Sequence, residues 1–308
     1  MKFKCTGKQL QNIILTVEKA TAKKTTIPIL QNIYVELTED QLTCRSNNME
    51  MGIQQSIPIK KEDIQEQGSV LIHASTITNI ISKLQNQNLA ITVNDTNKIG
   101  IKGENVNYSL LGLNVEEYPV FPNNQTEQTL SLSVHELCDV LKNTLFAVSF
   151  DETKQFLNGI LIENIDDFLY FVSTDGFRLA VKKIAINPEI KAFSIIVPHK
   201  ASQELYRILQ NFEPDKQIKI KLSEKQITFE SEEFVLFSRL IQGQFPNFRK
   251  VIPDEFINKI TLNRIDLLNA CERALVLASS ANNVIKLSIE DKELIMTTQS
   301  NNIGDFKE

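Results

Sequence analysis

The sequence has few of the residues on which metal centres and disulfides depend. It contains four cysteines and three histidines in 308 residues. The cysteines are far apart and form no CxxC pair: Cys5, Cys44, Cys138 and Cys271. We predict buried free thiols rather than bridges or zinc ligands. The histidines are equally scattered, and no HxxxH pair is present: His73, His135 and His199. We therefore predict no metal and no cofactor.

Long apolar runs are also missing. No run approaches the roughly 18 residues that a membrane span needs, and residues 1–6 lack the apolar core of a signal peptide. The cytoplasm is therefore the expected location. The composition, 42% hydrophobic and 23% charged, is that of a soluble globular protein. A net charge of -5 argues against a protein that coats nucleic acid with its whole surface, although a local basic track remains possible.

What the sequence does contain is a repeated pattern of alternating strands. Residues 156–186 predict a strand, a tight connection, a second strand, a turn at Thr174 to Gly176 and a third strand. Residues 30–57 have the same rhythm, with Asn32 matching Asn158, and residues 283–306 begin a third copy. A repeat of this length indicates duplicated domains.

Apolar residues with helical spacing occur in five segments and reveal a shorter repeat within each domain. They are anchored at Leu10, Ile77, Leu137, Leu205 and Leu267. The predicted helices span residues 7–22, a segment capped by Ser75, 134–148, a segment around Leu205, and 265–279. If each domain contains two helices, five helices correspond to two and a half domains. The predicted fold class is α+β, with tandem domains in which two helices pack on antiparallel sheets.

The expected domains are 1–122, 129–253 and 259–308, with 122–125 as a linker. The third holds only the first half of the pattern, and its second helix is expected near residue 334. We therefore expect a chain truncated at its C-terminus. The five presumed helix segments carry a net charge of +4 and the remainder -9, a distribution that suits a ring lined by helices around a long anionic guest.

Several motifs closely resemble the bacterial DNA polymerase III beta subunit, the sliding clamp family. They are Phe150-Asp151-Glu152, residues 156–160 (FLNGI), residues 173–180 (STDGFRLA), residues 243–248 (GQFPNF) and Val251-Ile252-Pro253. The resemblance implies three domains per chain and a head-to-tail homodimeric ring around duplex DNA. It also implies tethering of the replicative polymerase, the clamp loader and repair proteins through short peptides, with no bond chemistry. Phosphate contacts in such a ring are independent of sequence and sensitive to salt.

The resemblance places DNA contacts after the first helix and at the entry to the middle-domain strand. Two further candidates come from helix position. The set is Lys23, Lys24, Lys154, Gln155, Phe156, Lys200 and Arg207. Gln155 stands where the family often has Tyr, which weakens the expectation of stacking. The alternative is that these lysines are ordinary solvated surface residues.

The resemblance also implies a groove for partner peptides. Its candidate residues are Leu157, Thr174, Gly176, Phe177, Arg178, Leu179, Pro246, Lys250 and Val251. Small and apolar residues suit a peptide anchor pocket, and Arg178 or Lys250 suits a peptide acid or carbonyl. Phe177 departs from the His often found there. The alternative is that Leu157, Leu179 and Val251 are simply core.

A ring seam is implied between the first and third domains. Its candidates are Ile80, Leu84, Tyr108, Leu110, Val276 and Leu277, with an acidic end near Asp305 and Glu308. Alternatively, Ile80 and Leu84 belong wholly to the internal stripe of their helix.

Two other functions compete. An enzyme could use Asp151-Glu152 or Asp166-Asp167 as metal-binding carboxylates, or Ser173 with a histidine. However, no Gly-rich phosphate loop is present, and His73 and His199, each just before a helix, suggest structural caps. A scaffold or ligand-binding protein of duplicated sheet domains is the non-enzymatic alternative, and it should not distinguish circular from linear DNA.

Overall fold

The computed structural model describes residues 1–119, 121, 126–186, 190–279, 283–290, 293–300 and 303–308. The chain divides into two compact units, Met1–Phe248 (unit 1) and Arg249–Glu308 (unit 2). The predicted linker at 122–125 lies outside the described residues. No helix of the described residues is long and apolar enough to cross a membrane.

Unit 1 contains two successive sets of elements in the same order, except that the strand Ile64–Glu66 of the first set has no counterpart among the described residues of the second set. The first set is β1 (Lys2–Thr6), α1 (Gly7–Glu18), β2 (Asn32–Leu37), β3 (Gln41–Asn47), β4 (Met51–Pro58), β5 (Ile64–Glu66), β6 (Gly68–His73), α2 (Ala74–Ile81), β7 (Asn88–Val93), β8 (Lys98–Lys102) and β9 (Asn107–Leu111). The second set is β10 (Gln128–Ser133), α3 (Val134–Thr144), β11 (Gly159–Ile165), β12 (Phe168–Thr174), β13 (Leu179–Ala185), β14 (Ser194–Pro198), α4 (His199–Leu209), β15 (Gln217–Leu222), β16 (Gln226–Glu230) and β17 (Phe234–Arg239).

Capping residues explain where the first helix of each set begins. Thr6 and Gln9 form a capping box at α1, and Ser133 and Glu136 form one at α3. Each box satisfies backbone N–H groups that the first helical turn leaves without a partner. α1 ends at Glu18, four residues before the predicted end, and α3 gives way to a 3-10 turn at Leu145–Ala147.

The prediction that Ser75 caps α2 is wrong. The helix starts at Ala74 with His73 as its N-cap residue, and the His73 ring lies 3.1 Å from Thr76 Oγ1. His199, by contrast, is the first residue of α4 and follows the N-cap Pro198. The two histidines therefore do not occupy the same position.

Strand pairing within each set is reciprocal. The strand before the first helix pairs with the strand after the second helix, as β1·β7 and β10·β15. The strand before the second helix pairs with the strand after the first, as β2·β6 and β11·β14. Each set therefore consists of two half-units that exchange equivalent strands with each other.

Hydrogen-bond register corrects the alignment of the two sets by one residue. His73 pairs with Asn32, and the other N-cap residue, Pro198, pairs with Gly159. Asn32 therefore corresponds to Gly159, rather than to Asn158 as the sequence suggested.

The two sets share one eight-stranded sheet, in the order β10-β15-β16-β17-β4-β3-β2-β6. Antiparallel pairing of β17 with β4, with Leu236 opposite Ile53, joins them. A second sheet has the order β5-β1-β7-β8-β9, and a third has the order β13-β12-β11-β14. The main apolar core contains the helix stripes and the inward strand residues, among them Ile13, Ile77, Val140 and Leu205.

Unit 2 has the element order of a single half-unit. It contains α5 (Arg264–Ala278), β18 (Lys286–Glu290), β19 (Glu293–Ser300) and β20 (Gly304–Lys307). The strands form one sheet in that order. Among the described side chains, Ala274, Ala278 and Met296 are buried, whereas many larger apolar side chains are exposed. The fold class predicted from the sequence is therefore confirmed: α+β, with tandem domains of helices and antiparallel sheets, the last with the first half of the pattern.

Candidate functional site

The turn between β12 and β13 is held by a network of local hydrogen bonds. Thr174 Oγ1 accepts from the Gly176 N–H at 3.0 Å and donates to the Arg178 carbonyl at 2.7 Å. Asp175 Oδ1 accepts from the N–H groups of Phe177 and Arg178, at 3.0 Å each. These two backbone N–H groups hold the pKa of Asp175 below its ordinary value. Gly176 has a φ of +93°, a conformation that favours glycine.

This network presents Phe177 and Arg178 to solvent. The Phe177 side chain is 101% exposed. Arg178 Nε lies 2.9 Å from Asp175 Oδ2, and its guanidinium lies 5.6 Å from the centre of the half-exposed Phe146 ring. The turn therefore presents the apolar Phe177 ring to solvent beside the Arg178 guanidinium, whose charge Asp175 partly neutralises.

A second apolar cluster covers the face of the β11–β14 sheet opposite the main core. Its buried members are Leu161, Val172, Ile196 and Phe248, and its half-buried members are Phe156, Tyr170, Leu179, Ile241 and Phe245. Sequence reasoning missed most of these residues. A signal was available, since β11 is continuously apolar from Ile160 to Ile162 and β12 from Phe168 to Val172, as expected of a sheet covered on both faces.

The groove candidates fall into three groups. Phe177, Arg178, Pro246 and Gly176 are exposed, whereas Thr174 and Leu179 are half-buried. Leu157 is only 5% exposed, so its side chain is core and we withdraw it from the groove. Lys250 and Val251 belong to unit 2, where both are exposed.

The DNA candidates differ in the charge they can offer. Lys23, Lys24, Lys154 and Lys200 are exposed and form no ion pair with a described residue. Arg207 Nη1 lies 2.8 Å from Oε1 of the buried Glu204, so this part of α4 contributes little net positive charge. Gln155 is exposed, whereas Phe156 packs on the second apolar cluster, which leaves only part of its ring for stacking on DNA.

The seam candidates also divide by burial. Leu84 is 3% exposed and belongs to the main core, as the alternative from the sequence held, so we withdraw it from the seam. Ile80, Tyr108 and Leu110 are half-buried against that core. In unit 2, Val276 is exposed and Leu277 is half-buried. At the predicted acidic end, Arg273 pairs with Glu308 and lowers the pKa of its carboxyl.

The residues considered for catalysis have structural roles instead. Ser173 is fully buried and donates to the Thr144 carbonyl at 2.6 Å. Asp166 and Asp167, both with positive φ, form the two-residue turn between β11 and β12. Asp151 accepts from the Thr153 hydroxyl and N–H, which lower the pKa of its carboxyl. Among the described residues, no group of three or more His, Cys, Asp or Glu could hold a metal ion.

Comparison with known proteins identifies the architecture. Residues 1–122 match the profile of the DNA polymerase III beta subunit, N-terminal domain, and residues 131–247 match its central domain. The beta sliding clamp of Synechococcus elongatus is 31% identical over all of this chain and 83% of its own length. That of Bacillus subtilis is 30% identical over 99% and 82%. The crystal structure of the Bacillus subtilis DNA polymerase sliding clamp superposes with a TM-score of 0.88 at 29% identity, covering all of this chain and 83% of the other.

Proposed function

The chain belongs to the beta subunit family of DNA polymerase III, the sliding clamps, and we propose that it encircles duplex DNA in a head-to-tail homodimeric ring. Sliding clamps are non-catalytic processivity factors, and the roles of Ser173, Asp166 and Asp167 described above agree with that. The observation that carries the proposal is the β17·β4 pairing, which joins two clamp domains edge to edge. Heterologous contacts of this kind generate a ring when the rotation closes. We also propose that it acts in DNA replication and that it is located in the cytoplasm.

The same pairing supplies a seam between two copies. By strand register, β9 is the counterpart of β17, and β20 is the counterpart of β4. Among the described residues, β9 pairs only with β8 and β20 only with β19. Transferring the register of β17·β4 puts Tyr108 of one copy opposite Phe306 of the other. Ile80, Leu110, Val276 and Leu277 are proposed to flank this pair.

The DNA contacts are proposed to come mainly from Lys23, Lys24, Lys154 and Lys200. Their exposure and their lack of an ion pair with any described residue support this assignment. Gln155 and the exposed part of Phe156 are secondary contacts, and Arg207 is the weakest candidate because of Glu204. Screened contacts of this kind permit sliding, while closure of the ring prevents escape.

Partner peptides are proposed to dock at the β12–β13 turn. Exposed Phe177 and Pro246 and half-buried Leu179 offer apolar contacts, and Gly176 allows close approach of a backbone. Thr174 and Arg178 offer polar contacts. Two further candidates belong to unit 2, where exposed Lys250 offers a cation and exposed Val251 an apolar side chain. The expected ligands are short motifs from the replicative polymerase, the clamp loader and repair proteins.

The experiment loads the chain onto a nicked circular plasmid with its ATP-driven loader and then applies high salt before and after linearisation. Retention on the circle and loss from linear DNA support a topological clamp, because salt screens ordinary ion-pair binding on both. Tyr108→Asn should abolish retention on the circle. Ser109→Asn, the adjacent residue on the other face of β9, should leave it intact. Equal loss of the unaltered chain from both DNA forms would favour a scaffold instead.

A further inference from the structure

The two sets of unit 1 differ at the strand that precedes their first helix. In the first set β5 pairs antiparallel with β1, and Glu66 lies opposite Lys2. The same pairing places Ile64 opposite Phe3. In the second set β10 is the outermost strand of its sheet, and its edge away from β15 has no strand partner among the described residues. One duplicated position is therefore covered by a strand, and the other is open.

The open edge of β10 consists of backbone groups of Thr129 and Ser131. The Val134 N–H donates to the Lys216 carbonyl at 2.9 Å, and the register of β10 with β15 is continuous. The alternation of an antiparallel ladder then directs the N–H and C=O groups of Thr129 and Ser131 away from β15. On that side neither residue has a backbone hydrogen bond to another described residue. Such backbone groups are a template for an added strand.

An asparagine explains why the second set has no equivalent of β5 at this edge. By their distance from the N-cap residues of α4 and α2, Ile190 and Lys191 correspond to Gln65 and Glu66 of β5. Asn164 Nδ2 donates to the Ile190 carbonyl at 2.9 Å and to the Lys191 carbonyl at 3.2 Å. At the position of Asn164, β2 ends in a buried leucine, which has no amide to donate. The asparagine therefore holds this segment at β11 and away from β10.

A cleft of about 600 Å³ follows the open edge. Half-buried Ile186 and Ile190 line it, together with residues of β10. Glu136 also lines it, but its carboxylate accepts from the Ser133 N–H at 2.8 Å and belongs to the capping box. The volume is within the range of sites that hold ligands. The cleft thus combines apolar side chains with a backbone edge that can receive a strand.

The first set shows that a neighbouring domain does not fill this cleft. A corresponding cleft of about 610 Å³ lies beside β1, lined by Lys4 and Thr6 and by Pro58 and Ile59 at the end of β4. It is open even though β4 is paired along its length with β17 of the next set. β13 has the place of β4 in the second set, so a strand paired along β13 leaves the cleft beside β10 open as well.

We propose that β10 binds a short extended peptide of a partner protein as an added antiparallel strand. The pairing of β5 with β1 supplies the register. Counted from the N-cap of the first helix, Thr129 has the place of Lys2, so a peptide residue in the place of Glu66 lies opposite Thr129. A residue in the place of Ile64 lies opposite Leu130. Ile64 packs half-buried on the main core, so the corresponding peptide residue is apolar, has polar neighbours and occupies the cleft.

A second copy of β10 does not suit this cleft. Its Leu130 and Leu132 are 5% and 3% exposed, because they are already buried in the main core of their own chain. Its exposed side chains, Thr129 and Ser131, are small and polar. A peptide from another protein, by contrast, has an apolar side chain to place against Ile186 and the open edge together.

Amide hydrogen exchange of the full chain, resolved to single residues, tests the proposal. The probe is a synthetic peptide with the sequence of residues 61–67, KEDIQEQ, because this chain already uses that segment on the equivalent edge. In the free chain the amides of Thr129 and Ser131 should exchange faster than those of Leu130 and Leu132. The peptide should slow exchange at Thr129 and Ser131, and the effect should saturate. A peptide with aspartate in the place of Ile64 should bind at least about tenfold more weakly, because it loses the apolar contact.

Two variants at one position separate the backbone edge from the side chain. Ser131→Pro removes the outward N–H and leaves the ladder with β15 intact, since a proline is tolerated at an edge. It should weaken peptide binding at least about tenfold, more than the 1.4 kcal/mol to which a tenfold change corresponds. Ser131→Ala keeps the N–H and should bind the peptide as the unaltered chain does. Unchanged exchange of the β15 amides in Ser131→Pro checks that the sheet is intact.

Three results would overturn the proposal. One is protection of the Thr129 and Ser131 amides in the free chain equal to that of Leu130, because the edge then already has an occupant. The second is exchange at both amides that millimolar peptide does not slow, and the third is equal affinity of Ser131→Pro and Ser131→Ala. No step uses DNA, the loader or the seam strands β9 and β20, so this test and the plasmid test of the ring fail independently.

Discussion

The half-unit of α3 and β11–β13 and unit 2, with α5 and β18–β20, share their element order but differ in what covers them. In the first, α4 packs on α3 and β14 pairs with β11. In the second, the equivalent strand face leaves Leu287 and Ile289 about half exposed. The alternating apolar pattern thus specifies the strands in both regions. The apolar residues of β11 are buried because β14 and α4 of a second half-unit cover them. Burial therefore depends on which elements pack together and cannot be read from one strand alone.

A hydroxyl group marks a second difference between these regions. Ser173 of β12 donates to the carbonyl of Thr144 in α3, and the equivalent Ser46 donates to the carbonyl of Val17 in α1. In unit 2 the equivalent Thr298 donates instead to the Val284 carbonyl, at 2.8 Å. A buried hydroxyl therefore ties helix to sheet in both sets of unit 1, and unit 2 lacks that tie among its described residues.

The largest expected contrast comes from truncating equivalent apolar side chains. Ile162→Ala should lower the free energy of unfolding of unit 1 by about 2–5 kcal/mol, because the side chain is buried and leaves a cavity. Leu287→Ala should cost less than about 1 kcal/mol at concentrations where the chain is a single copy, because the side chain is already half in water. Urea dependence of hydrogen exchange, followed in peptides from each unit, measures both. Similar losses at the two positions would show that Leu287 is covered within one chain.

The next largest difference is expected from removing the buried hydroxyls of Ser173 and Thr298. Ser173→Ala leaves the buried Thr144 carbonyl without this donor and should cost about 1–3 kcal/mol. Ser46→Ala is the matched replicate in the other set of unit 1. Thr298→Val keeps the shape of the side chain and, with no helix carbonyl involved, should cost less. The same exchange measurement applies, with α3 peptides expected to respond first. An equal cost at Thr298 would mean that its hydroxyl stabilises unit 2 as much as the Ser173 hydroxyl stabilises unit 1.

The sequence predicted much of this fold because its signals are local. The apolar stripes anchored at Leu10 and Leu137 and the turn chemistry of Thr174 to Gly176 depend on neighbours a few residues away. The two helices begin, and the turn lies, where they were expected, although both helices end earlier than predicted. The Ser75 cap failed because β6 runs directly into α2 at His73, so the helix begins two residues earlier than the hydroxyl suggested.

Long-range pairing could not be read from those signals. The alternating residues of β4 and β17 predict strands, but nothing in either segment says that Ile53 lies opposite Leu236. Burial of Leu84 and Leu157, and the use of the Arg207 charge by Glu204, likewise depend on side chains brought together only by the fold. The exposure of Phe177 keeps the β12–β13 turn a candidate, whereas the burial of Leu84 and Leu157 removes two others, because the fold alone decides exposure and free charge.

The smallest predicted effect concerns pH and is confined to unit 1, since all three histidines lie there. Partial burial lowers the pKa of His199, whose ring packs edge-on against Phe150 with centroids 4.9 Å apart. The unfolded chain then binds more protons than the folded one, so this contribution to stability is present above the ordinary histidine pKa of about 6.5 and is lost as pH falls through the lowered value. His199→Gln should flatten the decline of the urea midpoint of unit 1 between about pH 7 and 5. Exchange in unit 2 should show no histidine-dependent change over that interval. An unaltered pH profile in His199→Gln would mean that the ring is as accessible to protons in the folded chain as in the unfolded one.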